Sequence, residues 1–216
     1  MTLTFPLDRS LLSDLLPIAS VKWVAQDNQE ISGMGSGQIL ATELAPSLWT
    51  ADVTTAERYH DEIDRLQARL ESLNGSINPF YLVDPKRRFP QYDPDGSKLG
   101  GATPTINSIS SNGRSISLTG LPGLYTLSFG DFLCFDYGTP ARRAFHRIVE
   151  TAIAGNSSGT TALFEIRPFV PLGASVGLPV TLLHPAMKCI LRPNSLDAET
   201  VTALTSRLSF SAVQKL

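Results

Sequence analysis

The amino-acid sequence predicts a mainly β protein, a β-rich α+β fold with an N-terminal β-sandwich, one long helix and an inserted small β-barrel. Short runs in which apolar and polar residues alternate recur along the 216 residues, and this is the period of a half-buried strand. A clear helical period occurs once, over residues 55–73. Clusters of turn-forming residues separate the alternating runs, as they do in sandwiches and barrels.

The first segment of the chain predicts three strands, around residues 21–23, 39–41 and 49–53, because apolar side chains there fall on alternate positions. Gly33, Gly35 and Gly37 mark a turn between the first two. The glycines lack the last step of a dinucleotide-binding fingerprint, and a strand follows them instead of a helix. A plain turn is therefore the preferred interpretation.

The helix is predicted to begin after a capping box formed by Thr54 and Glu57 and to end before Asn74 and Gly75. Its apolar stripe comprises Ala56, Tyr59, Ile63, Leu66, Leu70 and Leu73. The opposite face carries two charge pairs at four-residue spacing, Arg58 with Glu62 and Asp61 with Arg65. That face is predicted to meet solvent or another subunit.

A short strand at 80–83 precedes a long irregular stretch, residues 84–101, that combines basic and aromatic residues. They are Lys86, Arg87, Arg88, Phe89 and Tyr92. A loop of this length in a compact domain has a function or marks a boundary. We interpret it as a surface arm used in subunit contact and as the link to a second domain.

Short strands then follow one another, at 106–110, 115–119, 131–137, 144–152, 161–168 and 180–183. Their number suits a small barrel of the oligonucleotide-binding-fold type, a name that by itself implies no nucleic acid. Two more strands, 187–191 and 207–213, flank a polar piece at 195–205 for which a helix is one interpretation. The predicted domains are residues 1–100 with 184–216 for the sandwich and residues 101–183 for the barrel.

The composition disfavours several classes of partner. The net charge of -2 gives no strong positive field, so nucleic acid is not an expected partner. No run approaches the ~18 apolar residues of a membrane span, so membrane insertion is not expected. Cys134 and Cys189 both lie in alternating apolar runs, which predicts reduced core residues rather than a disulfide.

The sequence predicts no catalytic residue, metal site or cofactor. The segment from Gly155 to Gly159, with Ser157 at its centre, fits the letter pattern of a hydrolase nucleophile elbow. An alternating strand follows it, however, so a hairpin turn is the preferred interpretation. The three histidines, His60, His146 and His184, lie far apart and lack a second ligand at metal spacing.

Five segments, 47–51 leading into the helix, 78–85, 130–133, 146–149 and 165–169, together resemble the distal tail proteins of long-tailed bacteriophages. In that family a β-sandwich with one helix forms a ring around the tail axis and carries a second β-domain outside. In one branch the second domain is like an oligonucleotide-binding fold and is inserted before the last strands of the first. The resemblance implies a structural ring of six copies without an active site. Its partners would be itself, the tail tube protein and the tail hub, at the tail tip of a virion assembled in the host cytoplasm.

Three alternatives remain open from the sequence. The first is another tail-tip component, such as a hub or tail-completion protein. The second is a carbohydrate-binding module at the tail tip that presents Phe129, Tyr137 or Phe145. The third alternative is an envelope hydrolase that uses Ser157.

Overall fold

In the computed structural model, which describes residues 3–33 and 35–216, strands account for 45% and helices for 10% of the chain. The predicted mainly β class is therefore confirmed. The strands are β1 (Ile18–Gly33), β2 (Ile39–Thr55), β3 (Arg58–Tyr59), β4 (Phe80–Val83), β5 (Thr105–Ile109), β6 (Ser115–Thr119), β7 (Thr126–Leu127), β8 (Phe132–Tyr137), β9 (Arg142–Ile148), β10 (Ala152–Ile153), β11 (Phe164–Arg167), β12 (Val180–Thr181), β13 (Ala186–Leu191), β14 (Asp197–Thr200) and β15 (Thr205–Gln214). The helices are α1 (His60–Glu71) and the short 3-10 turns η1 (Arg9–Leu11), η2 (Ser13–Leu15) and η3 (Pro85–Arg87).

The first sheet joins both ends of the chain. Its seven strands include the path β1-β2-β15-β13-β4, with β14 and β3 also paired to β15. The C-terminal strand β15 thus lies between β2 and β13, and its inward residues Leu208, Phe210 and Ala212 are buried. The prediction that Phe210 points inward is confirmed.

The helix begins later than the sequence predicts. Thr54 and Thr55 belong to β2, where Thr54 pairs with Ser209, and the Thr55 hydroxyl accepts a hydrogen bond from the Leu208 amide (3.0 Å). The capping-box prediction is therefore wrong, because tertiary strand pairing overrides a local helix signal. Ile63, Leu66, Leu70 and Leu73 are buried as predicted. Tyr59 is 66% exposed and lies outside the stripe.

Two further predictions differ from the structure. The piece at 195–205, for which a helix is one interpretation of the sequence, contains strand β14. This strand pairs with β15 from Asp197↔Ser209 to Thr200↔Ser206. The three short N-terminal strands are in fact one long antiparallel hairpin, β1 with β2, of 16 and 17 residues. The glycine-rich turn between them is confirmed, and Gly37 there has φ +79°.

A second sheet has six strands in the order β12-β8-β9-β11-β6-β5. A bridge between Thr105 and Pro179 brings its two ends together, so the sheet is nearly closed and barrel-like. The oligonucleotide-binding type has five strands, one fewer than this sheet. Ile116, Leu118, Leu127 and Phe164 are among the fully buried residues at its centre.

The two sheets share an aromatic cluster. Phe132 and Phe145, from β8 and β9, stack on each other at 4.8 Å and lie against Trp23 and Trp49 of the first sheet. The Trp49 indole donates a hydrogen bond to the Phe145 carbonyl (3.0 Å). The core of the first sheet therefore includes side chains from residues 101–183.

The stretch from 84 to 101 is anchored to the barrel-like sheet. The buried Asp93 carboxylate accepts hydrogen bonds from the amides of Lys98 (3.0 Å) and Leu99 (2.8 Å) and from the Tyr125 hydroxyl (3.3 Å). Leu99 belongs to the core of that sheet. The interpretation of the whole stretch as a surface arm is therefore wrong for its second half. Cys134 and Cys189 are buried free thiols, as predicted.

Candidate assembly surface

The distal part of the β1/β2 hairpin projects beyond the core. Near the base, Trp23 pairs with Ala51 and Ala25 with Trp49, and these residues face the shared aromatic cluster. The pairing register then shifts between Gln26 and Asn28 and again between Asn28 and Gln29. Such bulges bend a strand and increase its twist. Every described residue from 29 to 46 beyond them is exposed.

This distal hairpin, residues 29–46, exposes large apolar side chains to solvent. Ile31 is 68% exposed, Ile39 70%, Leu40 51% and Leu44 66%. Ile31 and Ile39 share one face of the ribbon, whereas Leu40, opposite Ser32, lies on the other. A two-stranded ribbon with both faces in water is marginally stable by itself. Its grouped exposed apolar side chains make it a candidate interaction surface.

The hairpin also presents an unpaired strand edge. Among the described residues, β1 pairs with β2 alone, so its outer edge leaves backbone donors and acceptors without strand partners along its length. Long unprotected edges of this kind are templates for pairing with another chain.

The charge of this region is one-sided. Between Lys22 and Arg58 the sequence contains no Lys or Arg. It contains five carboxylates, Asp27, Glu30, Glu43, Asp52 and Glu57. Two of these, Glu30 and Glu43, lie on the distal hairpin, which therefore carries a net negative charge and would suit a partner that carries positive charge.

An open groove of about 520 Å³ lies where the base of the distal hairpin faces the barrel-like sheet. Residues 43–47 of β2 form one wall, and residues 168–172, which follow β11, form another. The chain end at Gln214 and Leu216 also borders the groove. Leu172 is 98% exposed and Leu44 66%, so a large part of the lining is apolar and accessible.

The residues predicted as an interface fall on different elements. On the helix side, Arg58, Glu62 and Arg65 are exposed, and Arg58 pairs with Glu62 at 3.8 Å. On the other stretch, Lys86 is exposed, whereas Arg87, Arg88 and Phe89 are half-buried. The Phe89 ring packs on His184 (4.6 Å), and Lys98 covers the Tyr92 ring (3.7 Å). Neither set lines the groove, and whether either forms an interface stays a prediction.

The structure bears on the carbohydrate-binding and hydrolase alternatives that the sequence left open. Tyr137 and Phe145 are buried, so they cannot present a sugar-binding face, whereas Phe129 is 66% exposed. Ser157 lies in a turn at residues 156–158 that leads to strand β11, so the predicted turn is confirmed.

Within residues 3–33 and 35–216, no three potential metal ligands come together. In the same residues, no helix combines the length and apolar character that a membrane crossing requires.

His146 is a fully buried titratable group beside the groove. Its Nδ1 donates to the Pro168 carbonyl (2.7 Å), its ring stacks on Phe135 (5.3 Å), and its Nε2 is buried without a partner. Burial lowers the pKa of His146 from 6.5 to about 4, and the hydrogen bond to Pro168 offsets only part of this shift. The imidazole is therefore neutral in the fold at pH 7.

This burial predicts acid sensitivity. Because the pKa of His146 is lower in the folded than in the unfolded chain, the unfolded chain binds more protons below pH 6.5. The His146 contribution to the free energy of unfolding should fall by about 3 kcal/mol between pH 7 and pH 4. Urea unfolding of wild type and His146→Gln across this range measures it. The variant should lose this part of the pH dependence, and an identical pH dependence in both proteins would contradict the buried neutral imidazole.

Comparison with known proteins identifies no family: no family model matches the chain, and no curated protein is significantly similar to it.

Proposed function

We propose that this protein is a structural subunit of a bacteriophage tail, a distal tail protein that forms a ring between the tail tube and the tail-tip hub. The observation that carries the proposal is the distal hairpin. It is exposed on both faces, it includes large apolar side chains, and its outer edge has no strand partner among the described residues. These properties fit a hairpin that a neighbouring subunit covers.

The outer edge of β1 in one copy would meet a different surface of the next copy, so the proposed contact between copies is heterologous. Heterologous contacts generate closed rings when the rotation between copies closes, and filaments when it does not. A ring of six is the number that the family resemblance implies. The mainly β architecture, with a sandwich-like sheet and a second barrel-like sheet, is compatible with that family but common to many others.

The proposal is tested by the size of the assembly. Native mass spectrometry and negative-stain electron microscopy of the full chain should show a closed ring of six copies. Antibodies against the protein should also label the tail tip of the phage that encodes it. A trimer would instead favour a hub, and a strictly monomeric protein at every concentration would refute the ring.

Two double variants distinguish a specific contact made by the distal hairpin from a general effect of surface hydrophobicity on assembly. Ile31→Ser with Ile39→Ser should abolish the ring, because it removes the apolar contacts of one ribbon face without removing a core side chain. The matched control, Ile77→Ser with Leu163→Ser, changes side chains that are 64% and 50% exposed elsewhere on the surface. Both variants should melt within a few degrees of wild type, and only the first should lose assembly. Equal assembly of the two variants would show that the distal hairpin does not form the contact between copies.

A further inference from the structure

We infer that the groove between the distal hairpin and the barrel-like sheet receives the distal hairpin of a second copy of this chain. The inference rests on the proposed ring and names the surface that closes it. Three independent features of the groove support this occupant: an unpaired strand edge, an exposed apolar lining and unpaired positive charge.

The first feature is the backbone edge of β2. Strand β15 pairs with β2 from Ser209↔Thr54 to Val213↔Thr50 and goes no further. The Trp49 amide is still satisfied, by the Gln214 side chain at 3.1 Å. Beyond this point β2 has β1 on one side only, and residues 43–47 form the groove wall. A wall of this kind accepts an added strand, with backbone hydrogen bonds that supply affinity.

The second feature is the apolar surface of the groove. Leu172 is almost wholly exposed at 98%, and Phe169 lines the same side. The distal hairpin exposes isoleucines on one face and leucine on the other. Either face can therefore contact this lining while the strand edge of the hairpin pairs with β2 of the other copy. Contacts of this type exclude water from apolar surface on both partners.

The third feature is charge complementarity. Arg142 lines the groove, and the exposed Arg167 stacks on the groove residue Phe169 at 4.5 Å. Neither arginine has an ion-pair partner among the described residues. Glu43 also lines the groove, so the carboxylate that the incoming hairpin of a second copy brings is Glu30, and that hairpin has no Lys or Arg. Glu30 of a second copy would pair with one of these arginines, and this attraction would also guide the register of docking.

Cross-linking between differently labelled copies tests the inference. Chains carrying Ile39→Cys are mixed with chains carrying Leu172→Cys, and a short bismaleimide is added to the assembled full-length protein. The native thiols Cys134 and Cys189 give little background, because both are buried and burial raises the pKa of each thiol. We expect a cross-linked heterodimer from this pair. The control pairs, Ile39→Cys with Leu163→Cys and Ile77→Cys with Leu172→Cys, should give at least tenfold less product.

A second variant tests the groove without cross-linking. Leu172→Asp places a carboxylate opposite the acidic hairpin and should raise the protein concentration needed for ring formation at least tenfold. Leu163→Asp, which adds the same charge to another exposed leucine, should not. Both variants should keep the wild-type melting temperature of the unassembled chain, since neither leucine is buried.

The possible outcomes separate the inference from the proposed function. Selective cross-linking with loss of assembly in Leu172→Asp supports the groove as the receiving site. A ring that forms normally in Leu172→Asp and gives no selective cross-link overturns the inference and leaves the ring in place. Absence of any assembly in the wild-type chain overturns both.

Discussion

Ending the chain at Thr205 should abolish soluble protein. This truncation removes nearly all of β15, which lies between β2 and β13 at the centre of the first sheet. It exposes two strand edges at once and removes Leu208, Phe210 and Ala212 from the core beneath them. Unpaired edges beside an exposed apolar face promote aggregation. Expression, solubility and thermal unfolding of the truncated and full-length chains provide the measurement.

Two further variants provide a control for the truncation and a measurable loss of unfolding free energy. A chain ending at Gln214 loses only Lys215 and Leu216 and retains all of β15, so it should remain soluble and melt within a few degrees of wild type. Phe210→Ala removes a buried ring that packs edge-on against Phe80 (6.3 Å), and it should cost about 3–5 kcal/mol of unfolding free energy. Equal solubility and an unchanged melting temperature for the chain ending at Thr205 would refute the central position of β15.

The position of β15 illustrates what the sequence predicts well. Leu208, Phe210 and Ala212 alternate with polar residues, and this period identifies both the strand and its buried face. The same period identifies β11, where Phe164 and Ile166 are buried and Glu165 and Arg167 are exposed. The helix stripe from Ile63 to Leu73 is also readable, because three- and four-residue steps of large apolar residues have few other interpretations.

The predictions that failed depend on partners distant in sequence. Thr54 and Glu57 have the spacing of a capping box, yet Thr54 is held in β2 by pairing with Ser209, far along the chain. The polar segment at 195–205 contains a strand for the same reason, since β14 pairs with β15. Local propensity is a weak prior where such pairing is available.

The sequence predicts the glycine-rich turn of the distal hairpin and a strand at 39–41, but it does not predict the length of the hairpin, for a different physical reason. Its length is set by cross-strand pairing, and both of its faces are exposed, so its residues show no consistent inward side. The available signal was its composition. The absence of Lys and Arg between Lys22 and Arg58, combined with exposed-type polar residues and a glycine-rich turn, marks a region unlike the rest of the chain.

Removing the barrel-like sheet should destabilise the first sheet, although the strand pattern of the sequence predicts a self-contained insertion. Phe132 and Phe145 cover Trp23 and Trp49, and Trp49 also hydrogen-bonds to the Phe145 carbonyl. Buried aromatic side chains each cover about 150–250 Å² of surface. Excision therefore leaves a tryptophan patch in water, and we expect aggregation of the excised chain.

The place of the cut matters as well. The Arg88 carbonyl accepts a hydrogen bond from the His184 amide (2.6 Å), so a short glycine linker can join residues 88 and 184 directly. Excision of residues 101–183 would instead retain residues 89–100 without their partners, since Leu99 packs in the barrel core and Asp93 hydrogen-bonds to Tyr125. We expect the excision of 89–183 to give the more soluble of the two products.

A paired substitution identifies the cause of the expected aggregation. Trp23→Thr with Trp49→Thr, introduced into the chain lacking residues 89–183, should restore solubility, because threonine suits an exposed strand and removes the aromatic patch. The same pair in the full chain should be strongly destabilising, since a buried Trp→Ala change already costs about 3–5 kcal/mol. Light scattering and urea unfolding of the four proteins measure both effects. If the excised chain with its tryptophans intact is already soluble and melts at the wild-type temperature, the aromatic cluster does not couple the two sheets.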